Sequence, residues 1–262
     1  MPSASHVAWR LGYRTVGRLS DGIRTGLEHG FDSGPFMHYV YRNRPSGTPP
    51  LGAAIDRRLL GSRTCTAFRE IAVLARNALR ELLDERAGQE TLVVDLACGP
   101  ATYLLDVLAE RPRPEVRALL RDVDPDALRL AAAAAAERRL ERVETCVGDA
   151  LDPDSLAAVG ARPDVAVELG LYGMFPDRLI RPHFRHLAET LRPRVLLCNV
   201  QNQNPEIEHI ANVWPSRDGG RCAWRLRPLD LLLGWAGEAG FVPERVRHDA
   251  NRIYSVLTLR LA

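Results

Sequence analysis

The sequence of 262 residues contains no lysine, so all 35 of its basic residues are arginines. This absence excludes a lysine Schiff base, a lysine general base and a P-loop lysine, because each of these sites requires a primary amine. Arginine cannot replace lysine in these roles, since its guanidinium group stays protonated at neutral pH. Three large classes of catalytic site are therefore ruled out before any motif is considered.

Cysteine is also scarce, and its spacing excludes further classes of site. The five cysteines are odd in number, lie far apart and form no C-x-x-C pair: they are Cys65, Cys98, Cys146, Cys198 and Cys222. This pattern gives neither a disulfide framework nor a common zinc spacing, so we expect buried, reduced thiols and no metal site. His183 and His186 lie three residues apart with no third ligand at metal spacing, and we interpret them as surface histidines.

Long apolar runs and a strong excess of one charge are absent as well. No segment approaches the roughly 18–20 apolar residues that span a bilayer, and residues 1–20 lack the apolar core of a signal peptide. The net charge of +2 argues against a broad nucleic-acid-binding face. With 46% hydrophobic residues the composition is that of a globular protein. We expect a cytoplasmic protein with a small-molecule partner and no nucleic acid; the oligomeric state stays open, with a homodimer as one option.

The sequence pattern changes near residue 88. Before this point we predict a short amphipathic helix at 4–20, an irregular segment rich in glycine and proline at 21–50, and a long helix at 62–86. Residues 1–88 are therefore expected to form an N-terminal, mainly helical lid. Residues 89–262 are expected to form a separate ligand-binding domain.

Strands and helices alternate throughout residues 89–262. Apolar runs predict strands at 91–96, 116–123, 143–147, 165–169, 195–200, 242–248 and 252–261, with helices at 102–110, 125–140, 154–159, 180–191 and 229–239. Such alternation is typical of βαβ units. The predicted fold class is α/β, with a doubly wound, mostly parallel, seven-stranded, Rossmann-like sheet.

Acidic residues follow the first three predicted strands, at the sheet edge where ligands bind in such folds. Asp95 ends the first strand and precedes a tight turn at Gly99. Asp122 lies 23 residues beyond Gly99, a spacing that places a carboxylate beside the ribose of a bound nucleoside. Asp149 follows the third strand and is suited to an exocyclic amine. With Gly99 as its only glycine, the first loop lacks the Gly-x-Gly-x-x-Gly pattern needed to bind a dinucleotide pyrophosphate.

Residues 90–262 resemble the class I S-adenosylmethionine (SAM) methyltransferases in this strand-end pattern and in the segment Ala239–Phe241 before a final strand pair. The resemblance implies a Rossmann-like methyltransferase fold, SAM as cofactor and S-adenosylhomocysteine as product. The cofactor-binding residues implied by it are Asp95, Ala97, Cys98, Gly99, Thr102, Asp122, Val123, Gly148, Asp149, Ala150 and Glu168.

A second resemblance, over residues 21–262, is more specific. The chain is similar to a bacterial methyltransferase family, family 20, whose members have no known substrate. The segments that carry this similarity are Gly30–Gly34, Tyr39–Asn43, Ile55–Arg57, Leu120–Asp122, Gly170–Asp177 and Gln201–Ala211.

Two departures from these patterns bear on the site. Ala97 stands where the usual cofactor loop has the first glycine, which is tolerable if its φ is negative. Gln203 and Asn204 stand where the related family tends to have Trp-His, which indicates a changed acceptor pocket.

The candidate catalytic residues are Tyr172, Tyr41, Tyr39 and His38, none of which stands out as a general base. The candidate substrate-binding residues are Tyr39, Tyr41, Tyr172, Gln201 and Gln203. Each has a structural alternative, namely core packing for the tyrosines and a solvated loop for the polar run after the fifth strand.

The sequence therefore predicts a SAM-dependent methyltransferase that acts on a small molecule by in-line methyl transfer, in a setting such as bacterial secondary metabolism. Two alternatives use the same cofactor pocket. One is a related alkyl displacement such as cyclisation, and the other is a SAM-binding protein without catalysis. A nicotinamide oxidoreductase is less consistent with the single loop glycine.

Overall fold

The computed structural model describes residues 3–111 and 113–262, which form two compact units. Unit 1 is assembled from Met1–Glu70 and Asn204–Trp224, whereas unit 2 is assembled from Ile71–Gln203 and Arg225–Ala262. The boundary predicted near residue 88 lies inside unit 2, and a segment from late in the sequence belongs to unit 1.

Unit 1 is helical. Its helices are α1 (Ala4–Arg14), α2 (Asp21–His29), α3 (Gly34–Arg42), α4 (Leu51–Leu60), the first part of α5 (Arg63–Asp84) and, from the late segment, α10 (Ile207–Val213), with a 3-10 turn at Val16–Leu19. The hydroxyls of Ser20 and Ser33 cap α2 and α3 by accepting hydrogen bonds from backbone amides three residues later. The long helix predicted at 62–86 is thus confirmed as α5.

The prediction of an irregular segment at 21–50 is wrong, because α2 and α3 occupy most of it. Glycines there suggested turns, but two of them lie inside α2, where they allow close packing. A Cβ at Gly26 would lie 2.5 Å from ring atoms of Phe31, and one at Gly22 would lie 2.6 Å from Asp56 Oδ1. Glycine is therefore needed at these two positions because neighbouring side chains leave no room for a Cβ, and not because the chain turns there.

The core of unit 1 is aromatic and joins its two chain segments. Phe31 stacks on Trp214 with ring centroids 4.6 Å apart, and Phe36 packs against Phe31 at 4.7 Å. Phe68 and Trp224 make a similar edge contact at 5.5 Å. Offset and edge contacts of this kind contribute about 0.5–1.5 kcal/mol each beyond the area that they bury.

Unit 2 contains a seven-stranded sheet in the order β3-β2-β1-β4-β5-β7-β6. Its strands are β1 (Thr91–Asp95), β2 (Val116–Asp122), β3 (Val143–Val147), β4 (Val165–Glu168), β5 (Val195–Gln201), β6 (Phe241–His248) and β7 (Tyr254–Leu261). β1 to β5 are mutually parallel, and β7 runs antiparallel between β5 and β6. The predicted doubly wound, mostly parallel, seven-stranded sheet is confirmed.

The rest of α5 precedes β1, and the other helices of unit 2 each follow one of the parallel strands. They are α6 (Thr102–Glu110), α7 (Pro125–Glu137), α8 (Pro153–Ala157), α9 (Asp177–His186) and α11 (Leu229–Glu238). A π-helical turn at Leu187–Leu191 ends α9, where the Arg192 amide bonds the Leu187 carbonyl at 2.7 Å. Side chains from α8, α9 and α11 share one buried apolar cluster with residues of β1, β4, β5 and β7.

The direction in which the sheet is wound reverses between β1 and β4. The chain moves outward from β1 to β2 and β3, then returns to the other side of β1 for β4 and β5. In open α/β sheets this reversal opens a crevice at the carboxyl ends of the strands, where ligands bind. Asp95, Asp122 and Glu168 end three of these strands and lie at that edge.

Candidate functional site

The loop after β1 is held against its neighbouring strands by backbone hydrogen bonds. The Leu96 amide donates to the Val167 carbonyl, and the Cys98 amide donates to the Arg121 carbonyl, both at 2.9 Å. Gly99 has a φ of +51°, and a Cβ at this position would meet no atom within 4 Å. Ala97 is not among the described residues with positive φ, so its backbone tolerates alanine. The loop therefore turns tightly and leaves open space beside Gly99.

Asp95 is buried at the base of this loop. Its Oδ2 accepts a 2.5 Å hydrogen bond from the Tyr103 hydroxyl, whereas Oδ1 has no hydrogen-bond partner among the residues that the structure describes. Burial raises the pKa of Asp95 to about 8, and the Tyr103 hydrogen bond opposes this rise. A buried carboxylate oxygen without a partner is costly, so a ligand donor at this position would be stabilised.

Asp122, at the end of β2, holds the first two loops together. Its Oδ2 accepts the Gly99 amide at 2.8 Å, and its Oδ1 accepts the Asp124 amide at 2.9 Å. Each carboxylate oxygen has a second lone pair, so both can still accept a hydroxyl. Val123, the next residue, is 46% exposed and offers an apolar surface beside the carboxylate.

The loop after β3 is shaped by Asp149 and Ser155. The Asp149 carboxylate accepts the Leu151 amide at 2.9 Å, and the Asp149 amide donates to the Ser155 hydroxyl at 2.9 Å. Asp149 is exposed, whereas Gly148 and Ala150 on either side are buried. Asp149 thus forms a local turn and presents its side chain at the sheet edge.

The predicted cofactor residues of the first three strand ends are therefore collected along one edge of unit 2. They are Asp95, Ala97, Cys98, Gly99, Thr102, Asp122, Val123, Gly148, Asp149 and Ala150. The buried Asp95 oxygen without a partner and the open space at Gly99 both fit a nucleoside ligand with an attached amino group.

Glu168, at the end of β4, lies in the core rather than open to a ligand. Its Oε2 accepts the Tyr172 hydroxyl at 2.6 Å, and its Oε1 lies 2.8 Å from His183 Nε2. All three side chains are at most 1% exposed. The interpretation of His183 as a surface residue is wrong, because Glu168 provides a buried partner for its ring. His186 is only half-buried.

Tyr172 is poorly placed for its predicted role as a base. Burial raises the pKa of its phenol well above the usual 10, and the negative charge of Glu168 acts in the same direction. The phenol instead helps to fix the loop after β4.

Four of the five cysteines are buried, and burial raises the pKa of the Cys98 and Cys198 thiols, which makes them unreactive. Cys146 is exposed, so the expectation of five buried thiols is wrong at this residue.

Gln201 and Gln203 differ in their surroundings at the end of β5. Gln201 is 3% exposed, and its Nε2 has no hydrogen-bond partner among the described residues. Gln203 is exposed and donates from Nε2 to the Asn251 carbonyl at 3.2 Å. Gln201 thus offers an unused buried donor, whereas Gln203 is bonded within unit 2.

His38, Tyr39 and Tyr41 lie on α3 of unit 1 and are half-buried. The Tyr39 hydroxyl donates to Asp56 Oδ2 at 2.5 Å. Burial and the hydrogen bond to Asp56 raise the pKa of Tyr39 to about 12, so its phenol stays protonated near neutral pH and is not available there as a base. Acceptor contacts by these three residues stay a prediction.

Two arginines of unit 2 are buried, although the sequence does not predict it. Arg121 donates to Ser155 Oγ at 2.9 Å. Arg227 donates from Nη2 to the Phe175 carbonyl at 2.5 Å, from Nε to Asp177 at 2.9 Å, and from Nη1 to the Tyr172 carbonyl, and so fixes the loop after β4. Arginine is usually exposed, and no local pattern marks either residue as buried.

No group of three or more His, Cys, Asp or Glu side chains that could hold a metal ion occurs within residues 3–111 and 113–262. None of the helices described over these ranges has the length and apolar character needed to cross a membrane.

Comparison with known proteins identifies the family. A family model described as "Putative methyltransferase" matches residues 2–260, and the chain belongs to this family. It is also similar to the Escherichia coli (strain K12) protein "Uncharacterized protein YnbC", with 31% identity over 255 residues. That match covers 94% of this chain but 43% of the relative, so the chain spans less than half of the relative's length.

Solved structures share the fold at low sequence identity. A Bordetella parapertussis protein described as a possible exported protein superposes with a TM-score of 0.72 at 19% identity, over 99% of this chain and 97% of the other. Magnesium protoporphyrin IX methyltransferase from Synechocystis PCC 6803, solved with bound S-adenosylhomocysteine, gives a TM-score of 0.63 at 15% identity, over 91% and 100% of the two chains. These likenesses establish a Rossmann-like methyltransferase fold.

Proposed function

We propose that this member of the family is a SAM-dependent methyltransferase acting on a small-molecule acceptor. The observation that carries the proposal is the set of strand-end acids at the switch point of the sheet. Asp95 presents a buried oxygen without a partner among the described residues, and Asp122 presents a carboxylate beside the open space at Gly99. The Synechocystis neighbour, whose structure contains S-adenosylhomocysteine and which methylates a porphyrin, supports both the cofactor and a small acceptor.

Each acid has a distinct role in this proposal. Asp95 accepts a hydrogen bond from the amino group of the cofactor's methionine part, which also favours the ionised carboxylate. Asp122 accepts the ribose hydroxyls while it keeps the Gly99 loop in place. Asp149 accepts the exocyclic amine of the adenine. Glu168, whose two oxygens are occupied, contributes through the core instead.

When bound, the cofactor supplies an electrophilic methyl group on a sulfonium sulfur. The chain has to align the acceptor with that group and to exclude water, because proximity and orientation lower the barrier to such a displacement. Gln201 provides a buried amide donor for an oxygen of the acceptor. The Tyr172 phenol is hydrogen-bonded to Glu168, so we propose an acceptor that is already nucleophilic and needs no strong base.

Calorimetric titration with S-adenosylhomocysteine, SAM and NAD tests the cofactor. We expect binding of the first two and none of NAD, since one loop glycine cannot hold a pyrophosphate. Binding of NAD with no response to either SAM compound would overturn the proposal.

Incubation of the protein with SAM and a panel of phenols, carboxylic acids and amines tests the reaction, with mass spectrometry to detect a product heavier by one methyl group. Cofactor binding without any methylated product, or with a cyclised product, would favour the non-catalytic or alkyl-displacement alternatives.

A further inference from the structure

Arg121 is a buried cation that the proposed reaction does not use. Its side chain is 3% exposed, although it lies one residue before the end of β2. No carboxylate oxygen of the described residues lies within 4.0 Å of its guanidinium nitrogens. A buried arginine without a carboxylate is uncommon, because desolvation of the charge has to be offset by other contacts.

The contacts of Arg121 join the loops that follow the first three strands. Its carbonyl accepts the Cys98 amide of the loop after β1 at 2.9 Å. Its side chain extends to the loop after β3, where Nη2 donates to the Ser155 hydroxyl at 2.9 Å. The same hydroxyl accepts the Asp149 amide, also at 2.9 Å. Arg121 therefore connects, through Ser155, to the backbone of Asp149.

Gly148 shows how closely the guanidinium packs on this loop. A Cβ at Gly148 would lie 2.6 Å from Arg121 Cζ and 2.7 Å from Nε. Real Cβ atoms do not approach other heavy atoms so closely, so any side chain at 148 would force the buried guanidinium of Arg121 to move. The guanidinium therefore lies directly against the loop after β3 at Gly148.

The second terminal nitrogen, Nη1, is buried and has no hydrogen-bond partner among the described residues. A buried donor left without an acceptor is costly, so the position of Arg121 is maintained against this cost by its contacts with Ser155 and the Gly148–Asp149 loop.

We infer that Arg121 is a positioning residue that fixes the Gly148–Asp149 loop and thereby sets the selectivity of the site for adenine over other purines. The inference rests on the proposed function, since it assigns the nucleoside end of the same cofactor site. The Arg121 guanidinium donates to the Ser155 hydroxyl, and this hydroxyl accepts the Asp149 amide, so the loop is fixed. The Asp149 carboxylate can then accept a hydrogen bond from an amine at the purine 6-position, but not from a carbonyl.

Calorimetric titration with two ligands tests this inference. S-adenosylhomocysteine carries a 6-amine and an unprotonated N1, whereas S-inosylhomocysteine carries a 6-carbonyl and an N1–H and is otherwise the same. We expect the wild-type protein to prefer the adenosyl compound by about tenfold or more, the range of one hydrogen bond to a charged group. In Arg121→Met the preference should fall below about threefold, because the loop loses its support.

Ser155→Ala provides a milder variant that removes one hydroxyl and keeps the core. It should reduce the preference in the same way, and the double variant should lose little more than either single variant, because both act through one chain of contacts. The matched control is Arg129→Met, which removes an exposed arginine from α7 and should change neither affinity. Urea unfolding of each variant separates a misfolded protein from a folded one with altered selectivity.

Unchanged selectivity in folded Arg121→Met or Ser155→Ala would overturn the inference and leave the proposed function standing. An equal loss of affinity for both ligands would also overturn it, since a general structural role would produce that result. A wild-type protein that binds neither ligand would overturn the inference together with the proposed function.

Discussion

Replacement of Asp122 by alanine should weaken both the cofactor site and the fold of unit 2. The carboxylate accepts the Gly99 amide at 2.8 Å and the Asp124 amide at 2.9 Å, so it fastens the loop after β1 to the loop after β2. The variant removes both acceptors at once. Water can reach this half-exposed position and replace part of each bond.

The size of the effect follows from these two bonds. Hydrogen bonds to a charged group contribute about 1.5–3 kcal/mol each when fully buried, and less where water competes. We therefore expect Asp122→Ala to lower the free energy of unfolding of the ligand-free protein by about 1–3 kcal/mol. Loss of the ribose contacts should weaken S-adenosylhomocysteine binding by a further 1–3 kcal/mol or so, which is roughly 5- to 150-fold in the dissociation constant.

Asp122→Asn separates the two effects. The asparagine oxygen can keep one of the two backbone amides, but its NH2 group faces the other donor. Stability should therefore fall by less than in the alanine variant, while affinity for the cofactor falls by a similar amount, because an amide cannot accept both ribose hydroxyls.

Asp124→Ala is the matched control, since it removes an acid of the same loop. Asp124 caps α7 by accepting the Asp126 amide at 2.9 Å, and loss of such a cap costs about 0.5–2 kcal/mol. Urea unfolding should show a similar loss of stability, and calorimetry should show unchanged ligand affinity. Wild-type affinity in Asp122→Ala, or an equal loss of affinity in Asp124→Ala, would refute the assignment of Asp122 to the ribose.

Three further outcomes follow from buried polar groups. Burial raises the pKa of Asp95 from 3.8 to about 8, so the folded protein retains a proton that the unfolded chain releases. Urea unfolding at a series of pH values should therefore show ligand-free stability falling between about pH 4 and pH 8, with a flatter profile in Asp95→Asn. Tyr172→Phe leaves a buried oxygen of Glu168 without its donor and should lower the free energy of unfolding by about 1–3 kcal/mol, measured in the same way. Asp56→Ala should cost at least about 3 kcal/mol, because the Tyr39 hydroxyl and three other donors lose their acceptor; near wild-type urea stability would contradict this.

The sheet and its ligand edge could be predicted from the sequence because their signals are local. A continuous apolar run marks β1, and acids stand at the ends of β1, β2 and β4 in the sequence itself. The predicted strand at 143–147 and the predicted helix at 102–110 match the structure at both ends. Even here the spacing reveals only part of the role of Asp122: it predicts a carboxylate beside a ribose, whereas the structure adds two backbone amides that this carboxylate accepts.

The features that could not be predicted from the sequence depend on contacts between residues far apart in the chain. His183 shares the buried face of α9 with Ile180 and Phe184, but its polar partner Glu168 lies 15 residues earlier and cannot be identified from the local pattern. Arg227 is fixed by carbonyls about 50 residues earlier, and Arg121 by a serine 34 residues later. The helices α2 and α3 could not be predicted because glycine is a local signal for a turn. Gly22 and Gly26 are instead needed because side chains from elsewhere in unit 1 pack closely against them.

The two-segment construction of unit 1 has a consequence for the order in which the protein is synthesised. Phe31 and Phe36 leave the ribosome early, but Trp214, on which Phe31 stacks, follows only after all five parallel strands have been made. During synthesis, residues 3–70 therefore expose aromatic side chains until the late segment of unit 1 has been made. Such an exposed apolar surface favours chaperone binding or aggregation. A gene fragment cut between residues 70 and 71 would leave each product with half of an aromatic core, so the two units cannot be separated by a single truncation.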